Sequence, residues 1–207
     1  LALMTDRCSN GPHTIWPNPK GPGGLVVSEN WVMDHFNLDP WGGTAMIQTA
    51  ENVVKETGIT REACDAVTLR RYEQYRDALA DDRAFQKRYM FPVEINLSKK
   101  KTIMVAEDEG VFETTKEGLA GLKPVIPGSA HTFGSQTHPA DGNCGVTVTS
   151  REKARELSTD PEIEIQVVSY GHARVKRAFM AMAVVPAAKM ALEKAGITVD
   201  DVVAIKT

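Results

Sequence analysis

The chain has 207 residues, with 24 Lys+Arg against 27 Asp+Glu and a net charge of −3. That length can bury a real core, as one large domain or two small ones. The near-neutral balance gives no electrostatic case for a nucleic-acid partner or an anionic membrane surface, and no apolar run approaches the roughly 20 residues that span a bilayer.

Leu1-Ala2-Leu3-Met4-Thr5 reads as a buried strand, and Val202-Val203-Ala204-Ile205 as another. Buried strands need neighbours for their backbone groups, so both runs give the expectation of a segment cut from a longer protein. After the first strand, Asp6 to His13 is a turn-rich exit, and residues 16–24 form a Pro/Gly loop of unreadable role. Trp31, Val32, Met33, Phe36 and Leu38 form an apolar patch with the length of a short helix.

Thr44 is the expected cap of a helix running to about Thr57, with Gly58 just past its end. Thr60 starts the next helix, with Glu62 in its first turn, and Cys64, Val67, Thr68, Tyr75 and Leu79 fall on one face. Cys64 on that stripe reads as core, and Arg70, Arg71 and Arg76 as a solvated face balanced by Glu73 and Asp77. Phe91–Leu97 and Thr102–Val105 read as strands flanking Ser98-Lys99-Lys100-Lys101, whose three lysines could hold a phosphate but fit a solvated hairpin tip better. Thr114-Thr115-Lys116-Glu117 is a capping box for a short helix that Lys123-Pro124 stops.

Residues 128–150 join a polar loop containing His131 and His138 to a strand, Cys144–Thr149, of period two. Small residues in such a loop let backbone amides approach a ligand, although ordinary turn chemistry gives the same composition. Strand and helix then alternate: a helix at Arg151–Leu157, a strand at Ile163–Tyr170, and a helix from Pro186 to Ala195 with Gly196 at its end. This order predicts an α/β sheet with helical crossovers, interrupted between about Asn10 and Ala140 by a mostly helical insertion.

Motifs with chemistry are sparse. No GxSxG, HExxH, P-loop or GxGxxG stands in suitable context. Cys8, Cys64 and Cys144 are odd in number, far apart and without a CxxC, so neither a disulfide framework nor a zinc site is expected, and a reduced cytoplasmic compartment is the default. Cys8 follows a strand but lacks a readable partner base, and His131, His138 and His172 are each as compatible with a structural role as with ligand contact.

The order of segments nevertheless resembles the thiolase family, the acyl-CoA acetyltransferases and 3-ketoacyl-CoA thiolases. Gln48-Thr49-Ala50-Glu51-Asn52-Val53 is similar to the family's TAEN helix, and Ile59-Thr60-Arg61-Glu62 with Asp65 to the segment that follows it. Asp108-Glu109, Thr114-Thr115-Lys116-Glu117 and Leu119-Ala120-Gly121-Leu122-Lys123-Pro124 resemble its next block. Thr132, Gly134, Asp141 and Gly142 match its glycine-rich stretch, and Ile165–Tyr170 with Val185-Pro186-Ala187 through Gly196 resembles the start of its C-terminal half.

The resemblance implies an α/β fold, part of a layered αβαβα core carrying a large, mostly helical loop-domain insertion. Residues 1–10 would end the N-terminal half with a strand, 11–140 form the loop domain, 141–157 supply the half's last strand and helix, and 158–207 begin the C-terminal half. It implies an enzyme, an acyl-CoA acyltransferase working through a cysteine acyl-enzyme. None of the three cysteines aligns with a catalytic one, so no catalytic residue is assigned, and no metal ligand. The alternative is a non-catalytic thiolase-like subunit that binds CoA or a partner.

Coenzyme A would be substrate rather than a covalently held cofactor. By position, Thr137, Leu122, Lys123, Gly134 and His138 stand for coenzyme contacts, and Met46 and Gln136 for the wall of the acyl pocket. Phe112 takes the place of an arginine that often meets CoA phosphates, and Ser135-Gln136-Thr137-His138 makes the wall bulkier and more polar than the family's Asn-Ala-Ser-Gly. A homodimer or tetramer, and in divergent members a zinc-ribbon/OB-fold partner subunit, are the assemblies implied.

Overall fold

A computed structural model describes residues 1–137 and 140–206. In chain order the elements are β1 (Ala2–Asp6), β2 (His13–Trp16), β3 (Val27–Asn30), α1 (Met33–Asn37), α2 (Met46–Thr57), α3 (Arg61–Ala78) and α4 (Ala80–Lys87). There follow β4 (Val93–Ser98), β5 (Lys101–Val105), α5 (Lys116–Gly121), β6 (Gly142–Val146), α6 (Arg151–Leu157) and α7 (Val184–Ala195), with short 3-10 turns between several of them. The chain divides into two compact units, Leu1–Glu56 with Pro139–Thr207, and Thr57–His138.

Local signals set most helix ends. Thr60 accepts from Ala63 N–H, Thr115 from Gly118 N–H and Ser150 from Lys153 N–H, each satisfying a donor that the first helical turn leaves open. Gly58 and Gly196 take left-handed φ of 71° and 70° just past α2 and α7. Two expectations shift by a residue. Thr115 rather than Thr114 caps α5, because the Thr114 hydroxyl is turned back to donate to the Phe112 carbonyl at 3.0 Å. Thr44 does not cap α2: Gln48 and Thr49 N–H both bond Ala45 O, and Thr44 Oγ1 is buried without a hydrogen bond.

In the first unit, β1 and β6 are antiparallel partners, with Met4 opposite Cys144 and Asp6 opposite Gly142. β2 and β3 form a hairpin, His13 opposite Asn30 and Trp16 opposite Val27, which the Pro/Gly-rich connection hid from sequence reading. Its side chains interlock. Asn30 Oδ1 accepts from the N–H groups of Val32 and Met33, both at 2.9 Å, so its amide nitrogen is the donor toward His13 Nε2 at 3.1 Å. His13 therefore carries its proton on Nδ1 and donates to Ser28 Oγ at 2.9 Å. Glu29 accepts from Trp16 Nε1 at 2.7 Å and pairs with His35 Nε2 at 2.8 Å.

The Gln48–Asn52 motif builds the inner face of α2. Glu51 is 3% exposed and Thr49 is buried, its hydroxyl donating to Met46 O at 2.8 Å. Gln48 Nε2 donates to Asn52 Oδ1, and Asn52 Nδ2 in turn donates to Ala178 O, both at 2.9 Å.

The runs expected as later strands form no ladder. Residues 163–170 and 202–205 pair with no strand among the described residues, and Ile165, Val167, Val168 and Val203 are exposed. Period-two alternation reports which side chains share a face; a strand also needs a hydrogen-bonded neighbour. The three sheets of the described residues are two-stranded and antiparallel, not crossover-linked. The end of the 163–170 run instead packs on α7, where Ser169 Oγ donates to Ala191 O at 2.6 Å and Lys194 Nζ to Tyr170 O at 3.1 Å.

The second unit is built on α3. After its C-terminus, Asp81, Asp82 and Arg83 hold left-handed φ of 51°, 55° and 61°, which kinks the chain inside α4. Gln86, 2% exposed, accepts from Arg83 Nε at 2.8 Å and donates to Asp108 at 2.7 Å, tying α4 to the Asp108-Glu109 segment. β4 and β5 pair as an antiparallel hairpin with an irregularity between Asn96 and Ser98, and Lys99 and Lys100 are exposed at its tip.

Candidate functional site

Leu122, Lys123, Gly134, Gln136 and Thr137 lie together in the second unit, where the end of α5 meets the turn at Phe133–Ser135. Arg61 fixes the first part. Its Nη2 donates to the carbonyls of Leu119 at 2.9 Å, Ala120 at 3.3 Å and Leu122 at 2.6 Å, while Nε reaches Asp65 at 3.4 Å. A guanidinium at a helix C-terminus satisfies carbonyls that the helix itself cannot, and its charge complements the helix dipole. Arg61 and Asp65, which sequence comparison marks only as a matching segment, thus position Leu122 and Lys123.

The second part is a closed turn. Pro124 and Thr132 form an antiparallel bridge, and Val125 N–H donates to His131 O at 3.0 Å. Ser135 Oγ accepts from Thr132 N–H at 3.1 Å and donates back to Thr132 O at 3.2 Å. Gln136 reaches the same carbonyl through Nε2 at 3.3 Å. Gly134 seats the turn on α5: a Cβ there would lie 2.6 Å from Leu119 Cδ2 and 2.9 Å from Leu122 Cδ1. Leu119 is 4% exposed and Thr132 fully buried, so the turn rests on a fixed base.

Upon this base Leu122 is half-buried and Lys123, Gln136 and Thr137 are exposed. A groove of about 420 Å³ runs beside the turn, lined by Ile59, Cys64, Val67, Thr68, His131 and Ser135. Another, of about 570 Å³, lies between α3 and α5 with Asp65, Arg70, Lys116 and Leu119 in its wall. His131 and Ser135 belong to the wall of the smaller groove; Gln136 and Thr137 stand outside the linings of both. Met46 is half-buried at the start of α2, in the other unit, and His138 falls outside the described residues.

Cys8, Cys64 and Cys144 are not joined in disulfides: Cys8 is near Asp6 Oδ1 at 4.0 Å, Cys64 faces the smaller groove and Cys144 is exposed on β6. No cluster of three or more His, Cys, Asp or Glu suited to a metal occurs among the described residues. No helix of the described residues is long and apolar enough to cross a membrane. Sequence reading missed the exposed aromatic pair Phe112 and Phe133, whose ring centroids lie 6.3 Å apart at 60°. Twenty residues separate the two in sequence, and no local pattern links them.

Residues 28–152 match the thiolase N-terminal domain. The acetyl-CoA acetyltransferase of Syntrophomonas wolfei is 37% identical over 98% of the chain, and peroxisomal 3-ketoacyl-CoA thiolase A of Mus musculus is 36% identical over 77%. These matches take in 51% and 38% of the relatives' own lengths, so the chain spans about half, or less, of the curated proteins it matches. Human mitochondrial 3-ketoacyl-CoA thiolase superposes with a TM-score of 0.79 at 27% identity, covering 96% of this chain and 50% of that one. A structure of the same human enzyme in complex with CoA superposes with a TM-score of 0.76, also at 27% identity. The fold is thiolase-like α/β, and the chain belongs to the thiolase family.

Proposed function

We propose that the protein carrying this chain is a thiolase-type acyl-CoA acyltransferase. It would transfer or cleave acyl groups held as CoA thioesters through a cysteine acyl-enzyme. The observation that carries this reading is the 37% identity to an acetyl-CoA acetyltransferase across 98% of the chain. In the reaction a thiolate attacks the acyl carbonyl, oxyanion donors hold the charge, and CoA leaves as the thiol while a base manages the proton. Cys8, Cys64 and Cys144 are not placed in that role; the nucleophile belongs to sequence other than these 207 residues.

This chain's part is recognition. Leu122, Lys123, Gly134, Thr137 and His138 take the coenzyme, and Met46 and Gln136 face the acyl group. The Arg61 fork and the Thr132–Ser135 turn support this by holding Leu122 beside Gly134. Residues 11–140 form the loop domain between the strand of 1–10 and the strand and helix of 141–157, with 158–207 opening the C-terminal half. The β1–β6 ladder supports that division, since its two strands flank the insertion and pair directly. A cytoplasmic homo-oligomer, with or without a zinc-ribbon/OB-fold subunit, completes the reading.

The test is release of free CoA when the whole protein meets acyl-CoAs of graded chain length together with a second acyl-CoA as acceptor. Release above the uncatalysed rate is expected. Tight CoA binding without turnover at any length would favour the non-catalytic binding subunit instead.

A further inference from the structure

The hairpin of β4 and β5 is a sheet of two strands, so the outer side of β5 has no strand beside it among the described residues. Alternate residues of β5 turn their backbone N–H and C=O groups to that side, a template for a further antiparallel strand. Thr102 and Met104 are exposed on β5, Met104 to 59%. The charges at its two ends are opposite. Lys99, Lys100 and Lys101 stand at the start and Glu107, Asp108 and Glu109 just past the end, all exposed, with no charge in residues 102–106. The acidic end is anchored: Arg83 pairs with Glu107 at 3.2 Å and Gln86 donates to Asp108 at 2.7 Å, while the Glu107 side chain stays 75% exposed. β4 carries a single charge, Glu94, and has no such polarity.

We infer that β5 is a docking edge for β5 of a second copy of this chain, the two strands running antiparallel about a twofold axis at Met104. Reversing the strand about Met104 sets Ile103 opposite Val105 of the second copy and Thr102 opposite its Ala106. The next three pairs are Lys101 with Glu107, Lys100 with Asp108 and Lys99 with Glu109. They occur at both ends of the joined edge, since a twofold interface uses every contact twice. Lys99 and Lys100 form the hairpin turn and the chain bends at Glu107, so long side chains rather than a continued ladder bring these charges together. Lysines on an edge strand ordinarily repel an incoming strand; here each meets a carboxylate, so the residues that reject other strands admit this one. Joined edge to edge, the two hairpins become one four-stranded sheet, which a lone two-stranded hairpin needs for stability of its own. This edge is one surface of the homo-oligomer proposed above and rests on that reading, which names no surface; it does not draw on the acyl-transfer chemistry.

The experiment uses the whole protein carrying Met104→Cys, mildly oxidised and read on non-reducing gels with peptide mapping. Thiols at the axis come within disulfide reach. Glu94→Cys, on the far strand of each hairpin, lies three strand spacings from its copy, roughly 14 Å, and does not. Expected is a dimer linked through position 104 and none through position 94. On the Met104→Cys background, Lys99→Glu or Glu109→Lys alone should cut the linked fraction about fivefold, because each sets like charges face to face at both ends. Mixing those two variants should restore it, since opposite charges then meet again. Both positions are exposed, and circular dichroism checks that each variant folds. No link through position 104, an equal link through position 94, or a mixture that links no better than either variant alone overturns this edge. In that event, sedimentation of the wild type as an oligomer leaves the homo-oligomer reading standing, and sedimentation as a monomer removes both.

Discussion

Asn52 donates its side-chain amide to the carbonyl of Ala178, 2.9 Å away and 126 positions further along the chain. Ala178 has φ of 62°, a left-handed conformation that costs an L-residue about 1–2 kcal/mol. The motif residue thus holds a strained turn in place. Ala178→Gly should raise stability by about 0.5–1 kcal/mol, the relief of strain less the added freedom of the unfolded chain. Asn52→Ala should lower it by about 1–2 kcal/mol. Urea unfolding of both variants and the double variant checks this, the double falling between the singles.

Arg61 makes three carbonyl contacts with one guanidinium nitrogen while its Nε faces Asp65. Arg61→Ala should cost about 2–4 kcal/mol, since charge-assisted bonds are lost and the end of α5 is left open. Arg61→Lys should recover less than half, because an ammonium lacks the planar fork. Thermal denaturation measures the loss, and weakened CoA binding in Arg61→Lys would show that Leu122 and Lys123 have moved with it.

Gly171 lies against the backbone of α7. A Cβ at that position would stand 2.0 Å from Ala187 O and 2.9 Å from Ala191 N, both backbone atoms. Gly171→Ala should therefore destabilise by about 3 kcal/mol, at the upper end of overpacking costs, because no side-chain rotation relieves the clash. Loss of the Lys194 ammonium's 4.4 Å contact over the Tyr170 ring should accompany it, visible as a change in tyrosine environment.

Acid should unfold the β2–β3 hairpin early. The hydrogen bond from His35, then that from Trp16, holds the Glu29 carboxyl below its ordinary value against a small opposing effect of desolvation. Glu62 and Glu152 are lowered first by their own backbone N–H groups, Asp201 by that of Thr198, and Asp82 by the Lys87 hydrogen bond. A carboxyl whose folded pKa is lowered stabilises above its unfolded value, and that contribution disappears as pH falls through the folded one. Stability should thus be level above about pH 5 and decline below about pH 4. Glu29→Gln should flatten part of the decline; Trp16 fluorescence followed through the titration reads it directly.

Much of the helical framework was legible because its signals are local. Thr60, Ser150, Gly58 and Gly196 announce helix ends through groups within four residues. The hairpin of β2 and β3 was not, since its register is held by Trp16, Asn30 and His13 reaching across a ten-residue loop. Residues 163–170 show the converse: an apolar alternation fixes which side chains share a face and says nothing about who pairs with the backbone. At the candidate site the glycine-rich stretch could be found from its residue types. The Arg61 fork and the Phe112–Phe133 pair could not, because each joins segments distant in sequence.

The most direct measurement is intact-mass spectrometry of the whole protein after incubation with acyl-CoAs of several chain lengths, followed by peptide mapping. The account predicts a single acyl adduct on a cysteine other than Cys8, Cys64 and Cys144. No adduct with any chain length, or an adduct carried by one of those three, would contradict it.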